Sequence, residues 1–224
     1  MTDLRLKYQT IEFLNTDIHL CTLRDNQQYY DPDGKAEGLG ICSASWPIFG
    51  VIWPSSMALA HFMDSYNIKA KRILEVGCGI ALPSLLLNSK NADITATDYH
   101  PEVESFLKRN VKINEDQKIF FERTSWADKD DSLGLFDLII GSDLLYEDEH
   151  ITLLANFIDA HASATCEVII VDPGRGRKTK LDKAMVKLGY ICHYQDIPAD
   201  IKALANFSGY ILKFVKTKLR TSFG

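Results

Sequence analysis

From residue 71 onward the chain repeats one rhythm, and that rhythm limits its fold more than any other feature. A short apolar run passes into a stretch with helical spacing, and another apolar run follows. The runs are KRILEVGC, ADITATD, KIFFERTSW, LFDLIIGSDLLY and CEVIIVDP. Between them lie ALPSLLLNSK, PEVESFLKRNVKIN and helical stretches near 149–161 and 178–188. Short strands that are apolar on both sides, alternating with helices, make a parallel sheet covered on both faces. The end breaks the pattern. YICHYQDI and GYILKFVK read as two strands separated by a loop, the last of them antiparallel. The expectation is an α/β protein with a doubly wound, Rossmann-like sheet of seven strands, six parallel and the last antiparallel. Upstream, 10–23 suggests one or two short strands around Asn15-Thr16-Asp17, and 24–40 reads as a polar, mobile loop. Pro54 suits the first turn of a helix through Ala58, Leu59 and Phe62.

Composition narrows the function. The 224 residues suit one α/β domain, and 46% hydrophobic residues supply a core. With 25 Lys+Arg against 30 Asp+Glu the net charge is −5, a poor basis for phosphate neutralisation. Nucleic acid is therefore not the expected partner. The five cysteines (Cys21, Cys42, Cys78, Cys166, Cys192) form no CxxC pair and read as free thiols of a reducing compartment. The polar start lacks the apolar core of a signal peptide, and no run is long enough to span a bilayer. A cytoplasmic, monomeric protein is expected. The six His show no metal-ligand spacing and no HExxH, so no metal is expected. There is no G-x-S-x-G elbow.

The sharpest local signal is Ile73-Leu74-Glu75-Val76-Gly77-Cys78-Gly79, where a strand enters a helix. Gly77 and Gly79 allow a tight turn and close approach of a ligand to the backbone around Cys78. The following helix N-terminus offers free N–H groups. Asp98, 21 positions after Gly77 and followed by Tyr99, ends the second strand and can accept ribose hydroxyls. A nicotinamide cofactor and S-adenosylmethionine both fit this pattern. Leu82 stands where a third glycine would approach a pyrophosphate. Glu75 lies two residues before Gly77, as in the methyltransferase motif E/D-x-G-x-G. Both details favour S-adenosylmethionine. Trp126 follows the third strand and can pack on adenine, although a packed core indole is the plainer alternative.

The fourth strand finishes in Ser142-Asp143-Leu144-Leu145-Tyr146, so Asp143 and Tyr146 stand at the carboxyl edge, the usual ligand side of such sheets. In-line methyl transfer needs an aligned lone pair, which a lysine ammonium with a pKa of about 10.4 lacks. A carboxylate and a phenol can orient the amine and assist loss of its proton. Asp143 as a turn cap and Tyr146 as packing remain the plain alternative. No (N/D/S)-P-P-(Y/F) run, the mark of base-nitrogen methylation, is present.

These residues resemble the seven-strand methyltransferases of the protein-lysine "family 16" type. Val51-Ile52-Trp53-Pro54, ILEVGCG, Thr97-Asp98, Leu107-Lys108-Arg109-Asn110 with Asn114, Ser125-Trp126 and Asp143-Leu144-Leu145-Tyr146 carry the likeness. The resemblance covers roughly 50–215. It implies that Trp53 lines the cofactor pocket, that Glu75, Gly77 and Gly79 hold the amino-acid part, and that Asp98 holds the ribose. Trp126 and Ser142 would flank adenine and methionine, and Asp143 and Tyr146 would form the acceptor end, with a protein as substrate. The chain departs from the family at Ile80-Ala81, where Thr-Gly is frequent, and at Ser84, where a glycine is common. A narrower likeness rests on Val171-Asp172-Pro173-Gly174-Arg175, which is similar to the lysine methyltransferase of the electron-transfer flavoprotein β subunit; Asp-Pro-Gly is also ordinary turn chemistry. Residues 51–224 then form the S-adenosylmethionine-binding domain, and 1–50 the strands and loop that close over the substrate. A methyltransferase for a small molecule or RNA shares the cofactor motifs. A nicotinamide-dependent oxidoreductase and a non-catalytic cofactor-binding module are the remaining readings. Arg175, Arg177, Lys178 and Lys180 read as a solvated basic loop, and Lys213, Lys216, Lys218 and Arg220 as edge-strand lysines that block aggregation.

Overall fold

The computed structural model describes residues 4–27, 29–129, 131–146 and 148–216. An N-terminal hairpin, β1 (Leu6–Glu12) and β2 (Asp17–Leu23), leads through a short helix α1 (Lys35–Gly38) and two 3-10 turns at 43–45 and 48–50 to α2 (Pro54–Asp64). The alternating part follows: β3 (Arg72–Val76), α3 (Leu82–Ser89), β4 (Asp93–Asp98), α4 (Val103–Ile113), β5 (Phe120–Arg123), β6 (Phe136–Ser142), α5 (His150–His161), β7 (Ala162–Asp172) and α6 (Lys178–Lys187). The chain closes with β8 (Tyr190–Asp196), α7 (Ala199–Ala205) and β9 (Tyr210–Lys216).

The seven-stranded sheet has the order β5-β4-β3-β6-β7-β9-β8. Every neighbouring pair is parallel except those of β9, which runs against both β7 and β8. Six strands are thus parallel and one antiparallel, as the sequence rhythm implies. The chain winds outward from β3 to β5, returns, and continues from β6 on the other side of β3. That reversal opens a crevice at the carboxyl ends of β3 and β6, the place where doubly wound sheets bind ligands.

Apolar residues fill two layers. One packs α2, α3 and α4 against the sheet through Leu59, Met63, Leu85, Leu86 and Phe106. The other packs α5 and α6 through Leu154, Ile158, Leu181 and Met185. Leu74, Ile139 and Ile170 are completely buried inside the central strands, which explains why those strands read as continuous apolar runs.

The hairpin is anchored on α4 by two amide side chains. The Cys21 N–H donates to Asn110 Oδ1 at 2.7 Å, and the His19 N–H donates to Asn114 Oδ1 at 2.8 Å. Asn114 Nδ2 returns a bond of 2.8 Å to the His19 carbonyl. Without these partners the backbone of β2 would lose hydrogen bonds where it meets the helix, and Asn110 is fully buried.

Three expectations need correction. The stretch between the last two strands holds α7, not a loop. Its buried residues, Ile201 and Ala205, lie four apart on a helix of 7 residues, too short for periodicity to declare it. The region 24–40 holds α1 and buries Tyr29, Asp31 and Ala36. The lysines of the final strand do not guard an edge, because β9 lies between β7 and β8. Lys213 meets Glu167 Oε1 and the Tyr66 hydroxyl, both at 2.9 Å, and Lys216 meets Asp159 at 2.8 Å. Lys218 and Arg220 lie outside the described residues.

Candidate active site at the carboxyl edge

The turn after β3 is left-handed at both glycines, with φ of 62° at Gly77 and 52° at Gly79. A Cβ at Gly77 would fall 2.6 Å from Leu144 Cδ2, and one at Gly79 would fall 3.3 Å from the Phe49 carbonyl oxygen. The backbone of this loop is therefore pressed between the β6 loop and the N-terminal segment. Ala81 also has a positive φ of 59°. L-residues adopt that conformation at a cost of about 1–2 kcal/mol. Cys78 is buried, its N–H donates to the Thr97 carbonyl at 2.9 Å, and burial holds its thiol far above the ordinary range.

Two carboxylates flank the loop and do different things. Asp98 Oδ2 accepts from the Gly79 N–H and Oδ1 from the His100 N–H, both at 2.8 Å. Burial raises its carboxyl above the usual range against these bonds. Each oxygen keeps a second lone pair, so the group can still accept hydroxyls. Glu75 is enclosed and bonds to the start of α3. Its Oε2 accepts the Ser84 N–H at 2.9 Å and the Ser84 hydroxyl, holding the first turn of α3. Burial pushes the Glu75 carboxyl up to about 8. Ser84 is thus the partner that Glu75 needs.

Aromatic groups close the sides. The Trp126 ring lies beside Gly77, 3.9 Å from where a Cβ would stand. It packs edge-on against His150 with centroids 5.9 Å apart, and Tyr146 meets the same imidazole at 6.0 Å. Tyr99 donates its hydroxyl to the Leu39 carbonyl at 2.7 Å, tying the segment before α2 to the end of β4. Phe49 stacks on His100 with centroids 4.1 Å apart. Burial drives the His100 imidazole down to about 4, so it stays neutral there. Trp53 stands at the start of α2 and spends its indole N–H on the Ile48 carbonyl at 2.9 Å.

At the end of β6, Asp143 has φ of 54°, and its N–H continues the ladder to the Val171 carbonyl at 2.9 Å. That twist aims its carboxylate at the loop after β7. Arg175 meets it there with Nε to Oδ1 at 2.7 Å and Nη2 to Oδ2 at 2.9 Å. Next to the pair, Asp172 is fully buried. Its Oδ2 accepts the Gly174 N–H, its Oδ1 has no partner, and burial raises its carboxyl. The other cations of this loop are paired as well. Arg177 and Lys180 both meet Asp148, and Lys178 lies 4.1 Å from the Tyr210 ring centre.

The geometry brings Gly77, Cys78, Gly79, Asp98, Tyr99, Trp126, Ser142, Asp143 and Tyr146 to the ends of adjacent strands or the loops that follow them. Glu75 bonds to Ser84 on the first turn of α3, and Trp53 stands at the N-cap position of α2. Sequence reasoning passed over Phe49 and His100, which carry no motif, and placed Arg175 in the Asp-Pro-Gly-Arg likeness and in a basic loop without giving it a partner. Two cavities of about 580 and 590 Å³ lie elsewhere, one at the amino ends of β3 and β4 and one beside α4.

A polar crevice with a glycine loop, an acidic strand end and a second acidic strand end belongs to the nucleotide-type cofactor folds. The solved methyltransferase from Pyrococcus furiosus shares this fold with a TM-score of 0.60 over 72% of this chain and 83% of that one, at 19% identity. The family is narrower than the fold: residues 43–186 match the lysine methyltransferase model, and the chain belongs to that family. It is 29% identical over 140 residues to the protein N-lysine methyltransferase METTL21A of Danio rerio, 58% of this chain and 63% of the relative. It is 31% identical over 117 residues to the histone-arginine methyltransferase METTL23 of Xenopus laevis, 48% of this chain and 50% of the relative. The chain thus spans less than two thirds of the length of these curated relatives.

Proposed function

We propose that the chain transfers a methyl group from S-adenosylmethionine to a lysine side chain of another protein. The observation that carries this reading is the left-handed Gly77–Gly79 loop with Asp98 on its amide, opening on the same edge as Asp143 and Tyr146. Family membership supports both the cofactor and the lysine. Gly77, Cys78 and Gly79 offer backbone to the amino-acid part, and Asp98 accepts the ribose hydroxyls. Tyr99, Trp126 and Ser142 flank the rest, and Trp53 lines the entry. Glu75 positions α3 through Ser84. The 1–50 segment forms the substrate side, supported by Leu39 and Phe49 reaching the loop residues. The protein works as a cytoplasmic monomer without nucleic acid; its net charge of −5 supports the last of these. Among the described residues no helix is long and apolar enough to cross a membrane.

The bound cofactor supplies an electrophilic methyl on a sulfonium sulfur. The protein supplies alignment and a deprotonated amine. A lysine with a pKa of about 10.4 must lose its proton before attack. Asp143 and Tyr146 fix the direction of the amine. An arginine, a small molecule or RNA could meet the same edge, and the acceptor assay separates them.

The decisive measurement is thermal stability with S-adenosylhomocysteine and with NAD. A ligand at a hundredfold excess over its dissociation constant stabilises by about 2.7 kcal/mol. A rise in Tm with S-adenosylhomocysteine that Asp98→Ala abolishes is expected, followed by transfer of a tritiated methyl group to protein lysines. A rise with NAD alone would overturn the reading.

A further inference from the structure

The Asp143–Arg175 pair raises a chemical question. A carboxylate aimed at an acceptor amine would favour its ammonium form, which has no lone pair. An opposite charge within about 4–6 Å moves a protonation equilibrium about tenfold to a thousandfold. In this protein both carboxylate oxygens are already held by one guanidinium, at 2.7 and 2.9 Å. We propose that Arg175 is a positioning residue that cancels the charge of Asp143, so that the carboxylate orients a neutral acceptor amine without holding it as an ammonium. This rests on the methyltransferase reading above.

The contact is built from both sides. Asp143 adopts a left-handed φ of 54° that swings its carboxylate toward β7. Gly174, at φ 88°, turns the chain back after Asp172 and brings Arg175 across. A Cβ on Gly174 would stand 3.5 Å from the Tyr210 ring. Two shaped loops and a bidentate geometry set this pair apart from a casual surface ion pair. The other charged and titratable groups around it are Asp172 on β7, Lys178 on α6, Tyr210 on β9, Tyr146 in the loop after β6 and His150 at the start of α5. Asp172 acts on Asp143 with like charge, and Lys178 opposes Asp172. Neutralised Asp143 still has lone pairs for an N–H, since each carboxylate oxygen carries two acceptor sites.

Sinefungin tests the proposal without an identified substrate. It is an S-adenosylmethionine analogue with a primary amine where the transferable methyl would sit. Its dissociation constant is compared with that of S-adenosylhomocysteine at pH 7 by calorimetry on the full chain. In Arg175→Gln the uncompensated carboxylate should bind the ammonium, tightening sinefungin about tenfold relative to S-adenosylhomocysteine. Arg175→Lys should keep the wild-type ratio, because the positive charge remains. The double variant Asp143→Asn with Arg175→Gln should return to that ratio, because neither charge is left. S-adenosylhomocysteine affinity in each variant reports an intact cofactor site. An unchanged ratio in Arg175→Gln, or a tightened one in the double variant, would overturn the role of Arg175 while leaving the methyltransferase reading intact. Failure of the wild type to bind S-adenosylhomocysteine would overturn that reading, and this inference with it.

Discussion

Replacing Glu75 by glutamine should invert the stability ranking of the two proteins between pH 5 and pH 9. Glu75 is completely enclosed, and burial moves its carboxyl from an ordinary 4.5 to about 8. An acid raised in this way keeps its proton in the folded state after the unfolded chain has released it. Its contribution is fully present below pH 4.5 and is lost as the pH rises through about 8. The loss is about 1.4 kcal/mol per pH unit, and roughly 3–5 kcal/mol across the window. Glutamine has no such dependence. Its carbonyl can still accept the Ser84 N–H and hydroxyl, but its amide adds a buried donor, which costs about 1–3 kcal/mol. At pH 5 the variant should therefore be the less stable by about 1 kcal/mol. At pH 9 it should be the more stable by roughly 2–4 kcal/mol. Urea unfolding at half-unit steps of pH measures both curves. Parallel curves, or a wild type whose stability is flat from pH 5 to 8.5, would show that Glu75 is already ionised in the fold.

Two further outcomes test the framework. Asn110→Ala removes the acceptor of the buried Cys21 N–H and should cost about 1–3 kcal/mol in urea unfolding. Hydrogen exchange at Cys21 and His19 should quicken, with the sheet amides less affected. His100 is held near 4 by burial against an ordinary 6.5. The unfolded chain therefore gains a proton first as the pH falls, and stability present above pH 6.5 is lost toward pH 4, by up to about 3 kcal/mol. His100→Phe should flatten that limb, and an unaltered acid limb would rule out this histidine as its source.

Much of the architecture was legible in the chain itself. Helical and apolar stretches alternate with lengths that leave no choice but a parallel sheet covered on both faces, and the last strand broke the rhythm visibly. The common placement of Gly77, Gly79, Asp98, Asp143 and Tyr146 at one sheet edge was legible for a related reason. Strand ends and the turns after them all emerge on one edge of a parallel sheet, so one-dimensional spacing already maps onto one location. α7 stayed hidden because 7 residues with two buried positions carry too little period. The place of β9 was equally hidden, because strand order depends on pairings that no local pattern encodes, and so its lysines looked like edge guards.

Side-chain partners were decided only in three dimensions. Glu75 sits within the motif that suggests ligand contact, yet it turns to Ser84, nine residues on, because the strand interior faces α3. Asp143 and Arg175 are 32 residues apart and belong to different turns. They meet because β6 and β7 are neighbours in register, and because left-handed residues on both loops point the two groups at each other. The sequence determined which chemistry reaches the carboxyl edge; the packing of strand against strand determined which charges there are already paired.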